Sequence, residues 1–146
     1  MKTKVLTAIF AVIFSLNNTN AQNMIDKEIK DLTQSLIDNG TRYDLDFLNN
    51  IYDEDLKFIR IDKENNIQVL SKADNMDFFK NLKASNAKPL NNYAKFHYAD
   101  NDGQNGFIVL TRRMKQLEIE QEFTFNIQWK KTNGEWKIVR ETVYIR

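Results

Sequence analysis

From residue 117 to residue 130 the chain alternates without interruption. Leu117, Ile119, Gln121, Phe123, Phe125, Ile127 and Trp129 fall on one side, and Glu118, Glu120, Glu122, Thr124, Asn126, Gln128 and Lys130 on the other. A period of two over that length is the pattern of a β-strand with one face on a core and the other in water. Asn133-Gly134 follows, a dipeptide suited to a two-residue hairpin in which both central residues take positive φ. Such a turn pairs Thr132 with Glu135 and sets the register behind it: Trp129 opposite Ile138, Ile127 opposite Arg140, Phe125 opposite Thr142, Phe123 opposite Tyr144.

This register aims Arg140 at the apolar face, the face that also carries Gln121. An unpaired guanidinium among aromatic rings is costly. Either Arg140 and Gln121 satisfy each other or backbone carbonyls, or they face a cavity that admits water or an anionic ligand. Arg140, Gln121, Tyr144 and Trp129 are therefore candidate ligand-binding residues. On the same register Val139, Val143 and Ile145 make the outer side of the last strand half apolar, which suits a two-fold homodimer.

The rest of the chain supplies helices and shorter strands. Ile25, Ile29, Leu32 and Leu36 recur at helical spacing up to Asn39-Gly40. A second helix is expected from Asp44, with Leu45, Leu48, Ile51 and Tyr52 inward, ending in the solvated cluster Asp53-Glu54-Asp55. Residues 56–61 and 67–70 read as a small hairpin around a polar turn. Ser71 and Asp74 form a capping box that opens a third helix, with Met76, Phe78, Phe79 and Leu82 on its buried side. Beyond Pro89, the only proline, strands are expected over 93–99, 107–114, 117–130 and 135–145. The fold class is α+β: three N-terminal helices on a curved, mainly antiparallel sheet of about six strands.

The N-terminus reads as an address. Lys2 and Lys4 precede an apolar run of about twelve residues, too short to span a bilayer but suited to an export signal. Polar residues and Ala21 follow, so residues 1–21 are expected to be a cleaved signal peptide and residues 22–146 one domain, periplasmic or extracellular, with no stable membrane insertion after cleavage. With 21 basic against 20 acidic residues, the chain lacks the field that nucleic-acid binding requires. The absence of cysteine removes disulfides, thiolate metal cages and a cysteine nucleophile. Neither metal nor cofactor is expected: the acidic cluster faces water, and the polar loop at 100–106 lacks the later acidic ligand of a calcium loop. His97, the sole histidine, has no triad to join.

The order helix, helix, hairpin, helix, meander resembles the nuclear transport factor 2-like superfamily. Two stretches carry the likeness: Asp44-Leu45-Asp46-Phe47-Leu48 leading through Ile51-Tyr52-Asp53-Glu54-Asp55 into a strand, and the ending Asn133-Gly134-Glu135-Trp136-Lys137-Ile138-Val139-Arg140. The resemblance implies a cone of curved sheet around a long helix, and, in its ketosteroid-isomerase-like and polyketide-cyclase-like members, a carboxylate base facing tyrosine or acid donors. It sets Arg60 at the isomerase base position, where a guanidinium cannot accept a proton. Arg60 thereby joins the ligand-binding candidates, and Asp62, two residues on, is the substitute base, solvated at its turn. No residue is assigned to catalysis. The expected function is an exported, non-enzymatic domain that binds a small apolar or anionic molecule in its cone, homodimerises through its sheet, or does both. The alternatives are an isomerase, dehydratase or cyclase using a pocket carboxylate, and an interaction module with a filled interior.

Overall fold

The computed structural model describes residues 25–116 and 119–146; the expected signal segment and Leu117 and Glu118 lie outside them. Helix α1 spans Lys27–Thr41, α2 Leu45–Ile51 and α3 Lys72–Ala84, and the strands are β1 Tyr52–Ile61, β2 Ile67–Leu70, β3 Lys95–Asn101, β4 Asn105–Gln116, β5 Ile119–Thr132 and β6 Glu135–Ile145. Each helix starts on an oxygen that accepts an otherwise unpaired amide: Asp26 from Ile29 N, Asp44 from Phe47 N, and Ser71 from Asp74 N in a full capping box. The first helix buries Ile29, Thr33, Leu36 and Ile37. Ile25 stands outside that helix, 40% exposed, bridging Ala99.

One sheet in the order β2-β1-β6-β5-β4-β3 supports the helices, and all its pairings are antiparallel except β1 with β6. The expected α+β architecture is thus the observed one. Among the described residues no helix is long and apolar enough to cross a membrane. The second helix ends earlier than expected: the backbone turns extended at Tyr52, so Tyr52 and the acidic cluster belong to β1. Glu54 and Asp55 still face water, and Glu54 receives Lys72 Nζ at 2.6 Å. On α3 the buried side is Lys72, Asn75 and Met76, while Phe78 is 51% exposed.

The hairpin turn forms as its sequence requires, with Asn133 at φ 52° and Gly134 at φ 82°. Thr132 pairs with Glu135 and Trp129 with Ile138, but Gln128 then pairs with Arg140. Val139 is left without a partner, a one-residue bulge that shifts every later position on β6 by one. Ile127 meets Glu141 instead of Arg140, Phe125 meets Val143, and Phe123 meets Ile145. A one-residue slip exchanges the two faces of a strand. Arg140 and Tyr144 therefore point outward and are exposed, whereas Glu141, Val143 and Ile145 are buried.

Candidate functional site

The concave side of the sheet and the three helices line a half-open cavity of about 360 Å³. Its wall is laid down by cross-strand rows. Val143, Phe125 and Leu110 make one, and Ile145, Phe123 and Arg112 the next. Most of the lining is aliphatic or aromatic. Against that background four polar side chains converge, each from a different element: Tyr52 at the start of β1, Asn75 on α3, Arg112 on β4 and Glu141 on β6.

All four are buried, at 4%, 4%, 9% and 5% relative exposure respectively. The Tyr52 hydroxyl lies 3.4 Å from Glu141 Oε2, and Arg112 Nη2 donates to the Asn91 carbonyl at 2.7 Å. Asn75 Nδ2 and Arg112 Nε have no hydrogen-bond partner. Burial pushes the Glu141 carboxyl up to about 7, against the opposing pull of Arg112 and the Tyr52 hydroxyl. Burial also drives the Tyr52 phenol well up, reinforced by the Glu141 charge, and lowers the Arg112 guanidinium, which Glu141 and Asp38 support. Glu141 thus exchanges its proton near neutrality inside an apolar chamber, the condition that acid-base chemistry needs of a carboxylate.

The bulge turns two of the residues expected to form the site, Arg140 and Tyr144, away from the cavity, and Gln121 and Trp129 on β5 lie outside its lining as well. Arg140 is exposed, so its guanidinium has solvent and needs no chamber; Tyr144, 40% exposed, stands on the outer face opposite Ile61. Gln121 is half-buried opposite Met114, outside the cavity lining. Trp129 is 1% exposed beneath Gly106 and lines a second, shallower hollow, its Nε1 unpartnered. Arg60 does line the cavity, where it is exposed with Gln68 and Phe78 and forms the rim.

Asp62 is spent on its turn. It accepts from Asn66 Nδ2 and from the amides of Asn66 and Glu64, contacts that hold its carboxyl below the usual range, the wrong direction for a base. His97 is exposed and contacts Thr111 Oγ1 at 2.8 Å. Among the described residues no group of three or more His, Asp or Glu side chains could hold a metal ion. Two signals for the actual cluster were present in the sequence. Ile108, Leu110 and Met114 alternate on β4 and carry Arg112 inward with them, and on β6 the apolar parity moves from Trp136 and Ile138 to Val143 and Ile145, which marks a bulge between them.

No family model and no curated protein matches the chain. Solved structures do. An NTF2-like protein from Cytophaga hutchinsonii aligns at 14% identity and TM-score 0.65, covering 84% of this chain and 100% of that one. An NTF-2 like protein of unknown function from Silicibacter pomeroyi aligns at 14% identity and TM-score 0.64, with 81% and 92% covered. A third, from Rhodospirillum rubrum, described as an NTF2-like protein of unknown function in nutrient uptake, aligns at 18% identity and TM-score 0.61, with 83% and 99% covered.

Titration of the buried carboxyl has a readable consequence. With the Glu141 pKa raised from 4.5 to about 7 on folding, the native state holds a proton that the unfolded chain has released across that interval. Stability is therefore full below about pH 4.5 as far as this group is concerned, and falls as pH rises through 7, by on the order of 3 kcal/mol. Glu141→Gln is expected to melt above the parent at pH 8 and together with it at pH 5, in thermal denaturation followed by circular dichroism. Parallel curves for the two proteins across that range would show that the carboxyl does not titrate there.

Proposed function

The chain has the nuclear transport factor 2-like fold, and from a cone of that kind whose interior is a chamber, we propose that it binds a small, largely apolar molecule inside, with the molecule's polar end at Tyr52, Asn75, Arg112 and Glu141. The observation that carries this reading is the convergence of four buried polar side chains, two with unpartnered nitrogens, on one apolar cavity. A fold stabilised only by its core would place apolar side chains there, since buried polar atoms without partners cost stability. Cavities of a few hundred Å³ with few, convergent polar groups are the usual form of small-molecule sites. Arg60, exposed on the rim, attracts anionic ligands toward the mouth.

A second reading is favoured by one observation, the Glu141 carboxyl at about 7 beside a phenol. A carboxylate so placed can remove a proton next to a carbonyl while the Tyr52 hydroxyl and Arg112 receive the oxygen charge that develops. That is isomerase-, dehydratase- or cyclase-type chemistry, with Glu141 as the base that Asp62 and Arg60 cannot be.

Export and self-association complete the proposal. The address at residues 1–21 supports a periplasmic or extracellular site of action, and the outer sheet face supports a homodimer. That outer patch differs from the expected one, because Val143 and Ile145 turn inward. Ile67 and Val69, 67% and 60% exposed, pair with Ile61 and Ile59 on β1, and Ile61 pairs with Tyr144 on β6, giving a continuous apolar strip. A second copy would cover it.

Three measurements test these readings. N-phenyl-1-naphthylamine, which fluoresces in apolar surroundings, should brighten on mixing with the protein, and Leu70→Trp, which fills the cavity from β2, should suppress the signal with the circular dichroism unchanged; no brightening would remove the chamber reading. For the catalytic reading, 2-octanone in D2O should exchange its α-hydrogens faster with the protein than without it, and Glu141→Gln should reduce the rate to background; background exchange with the parent protein ends that reading. Native mass spectrometry of protein collected outside the cytoplasm of an expressing cell should give the mass of two chains that each lack residues 1–21. A monomer mass counts against the dimer, and an intact N-terminus against the signal.

A further inference from the structure

The chamber's charges and spare donors together specify what sits in it, given the ligand-binding reading above on which this step rests. Three lining residues can carry charge: Arg60 at the rim and Arg112 and Glu141 inside. The balance is positive whether or not Glu141 is ionised. Inside, the supply of hydrogen bonds is equally one-sided. Asn75 Nδ2 and Arg112 Nε have no acceptor within hydrogen-bond distance, on side chains that are 4% and 9% exposed, and the polar group the Asn75 amide acts on is the Tyr52 hydroxyl, whose phenol it pulls down. A protonated Glu141 would add a third donor, an O–H. We propose that the ligand is an apolar monocarboxylate, whose two oxygens accept from Asn75 Nδ2 and Arg112 Nε while its hydrocarbon body lies against Leu110, Phe123 and Phe125.

The chemistry of each group supports the class. Arg112 keeps one arm of its guanidinium on the Asn91 carbonyl, which fixes the plane of the fork and leaves Nε free. Charge-assisted hydrogen bonds to a carboxylate are about twice as strong as neutral ones, and the burial of Asn75 and Arg112 shields them from solvent at the donor end. An alcohol or ketone of the same length offers a single oxygen with no charge, so it leaves a donor unpartnered. An ammonium would meet the Arg112 charge head-on.

Carboxylate binding also takes up a proton. Two carboxylates close together in an apolar site cannot both be ionised, so the incoming anion holds the Glu141 proton in place. The groups that face Glu141 are Tyr52 from β1 and Arg112 from β4, with Asp38 on α1 acting on Arg112. Tyr52 stays neutral throughout the working range because its phenol is pushed well up. Glu141 is therefore the group whose ionisation opposes the anion.

The test uses octanoate, 1-octanol and octylamine to displace N-phenyl-1-naphthylamine from the purified protein at pH 7, 8 and 9. Octanoate should displace the dye at least tenfold more tightly than octanol at pH 7, and octylamine should be the weakest of the three. Octanoate affinity should fall about fivefold from pH 7 to pH 8 and about tenfold more by pH 9, as Glu141 loses its proton. Octanol should change little. Calorimetry in two buffers of different ionisation enthalpy at pH 8 should register close to one proton taken up per octanoate bound. Arg112→Met removes the cation but leaves Glu141 without its partner and so endangers folding; Asn75→Leu removes one donor with no change of charge, and should weaken octanoate about fivefold or more with octanol unaffected. If the dye binds but octanoate is no tighter than octanol, or if its affinity is the same at pH 7 and pH 9, the carboxylate assignment is overturned and the chamber reading stands. If the dye itself does not bind, both fall together.

Discussion

One unpaired residue governs the chemistry of the interior. Val139 sits in β6 without a partner on β5, and from that point the strand presents its opposite side to the core. Were the pairing regular, the positions facing Ile127, Phe125 and Phe123 would be Arg140, Thr142 and Tyr144, and the chamber would have a guanidinium, a hydroxyl and a phenol on its last wall. With the bulge they are Glu141, Val143 and Ile145, a single carboxyl above two aliphatic side chains. Bulges persist at positions where a strand must re-aim a side chain, and here the side chain re-aimed is the buried acid.

Keeping that acid inside is costly to the fold. Two groups limit the cost without removing it, the Arg112 guanidinium and the Tyr52 hydroxyl, yet the carboxyl still prefers its proton up to about pH 7. Most buried polar groups are satisfied by their neighbours, with Trp129 Nε1 in the core an exception. At this site two nitrogens lack partners and a buried carboxyl has its pKa raised, an imbalance of the kind found where function takes precedence over stability. The contrast with Asp62 is direct, since that carboxylate has its turn amides as donors and a lowered pKa.

The architecture was legible in the sequence because its signals are local and repeat. Helix caps at Asp44 and Ser71, the alternation of β5 and the Asn133-Gly134 turn each specify a backbone conformation within a few residues, and each formed. The site was not legible in the same way. Its position depends on a register that one extra residue reverses, and counting back from a turn assumes that no such residue exists. The apolar parity change between Ile138 and Val143 carried the information, but a strand read as one uninterrupted run hides it. Tyr52 was misplaced for a related reason, since a helix and a strand that abut without a loop leave no polar break at Ile51.

The parallel pairing of β1 with β6 sets the order in which the chamber can be assembled. Tyr52 and Glu141 are 89 residues apart in the chain, and they meet only when the last strand of the sheet docks beside the first. The hairpins β1–β2, β3–β4 and β5–β6 can close early, because their loops are short and cost little entropy. The β1–β6 closure spans a much longer stretch of chain and costs more entropy, and it alone brings the acid to the phenol. Hairpins and helices alone, without that pairing, would leave the cavity without its Tyr52–Glu141 contact.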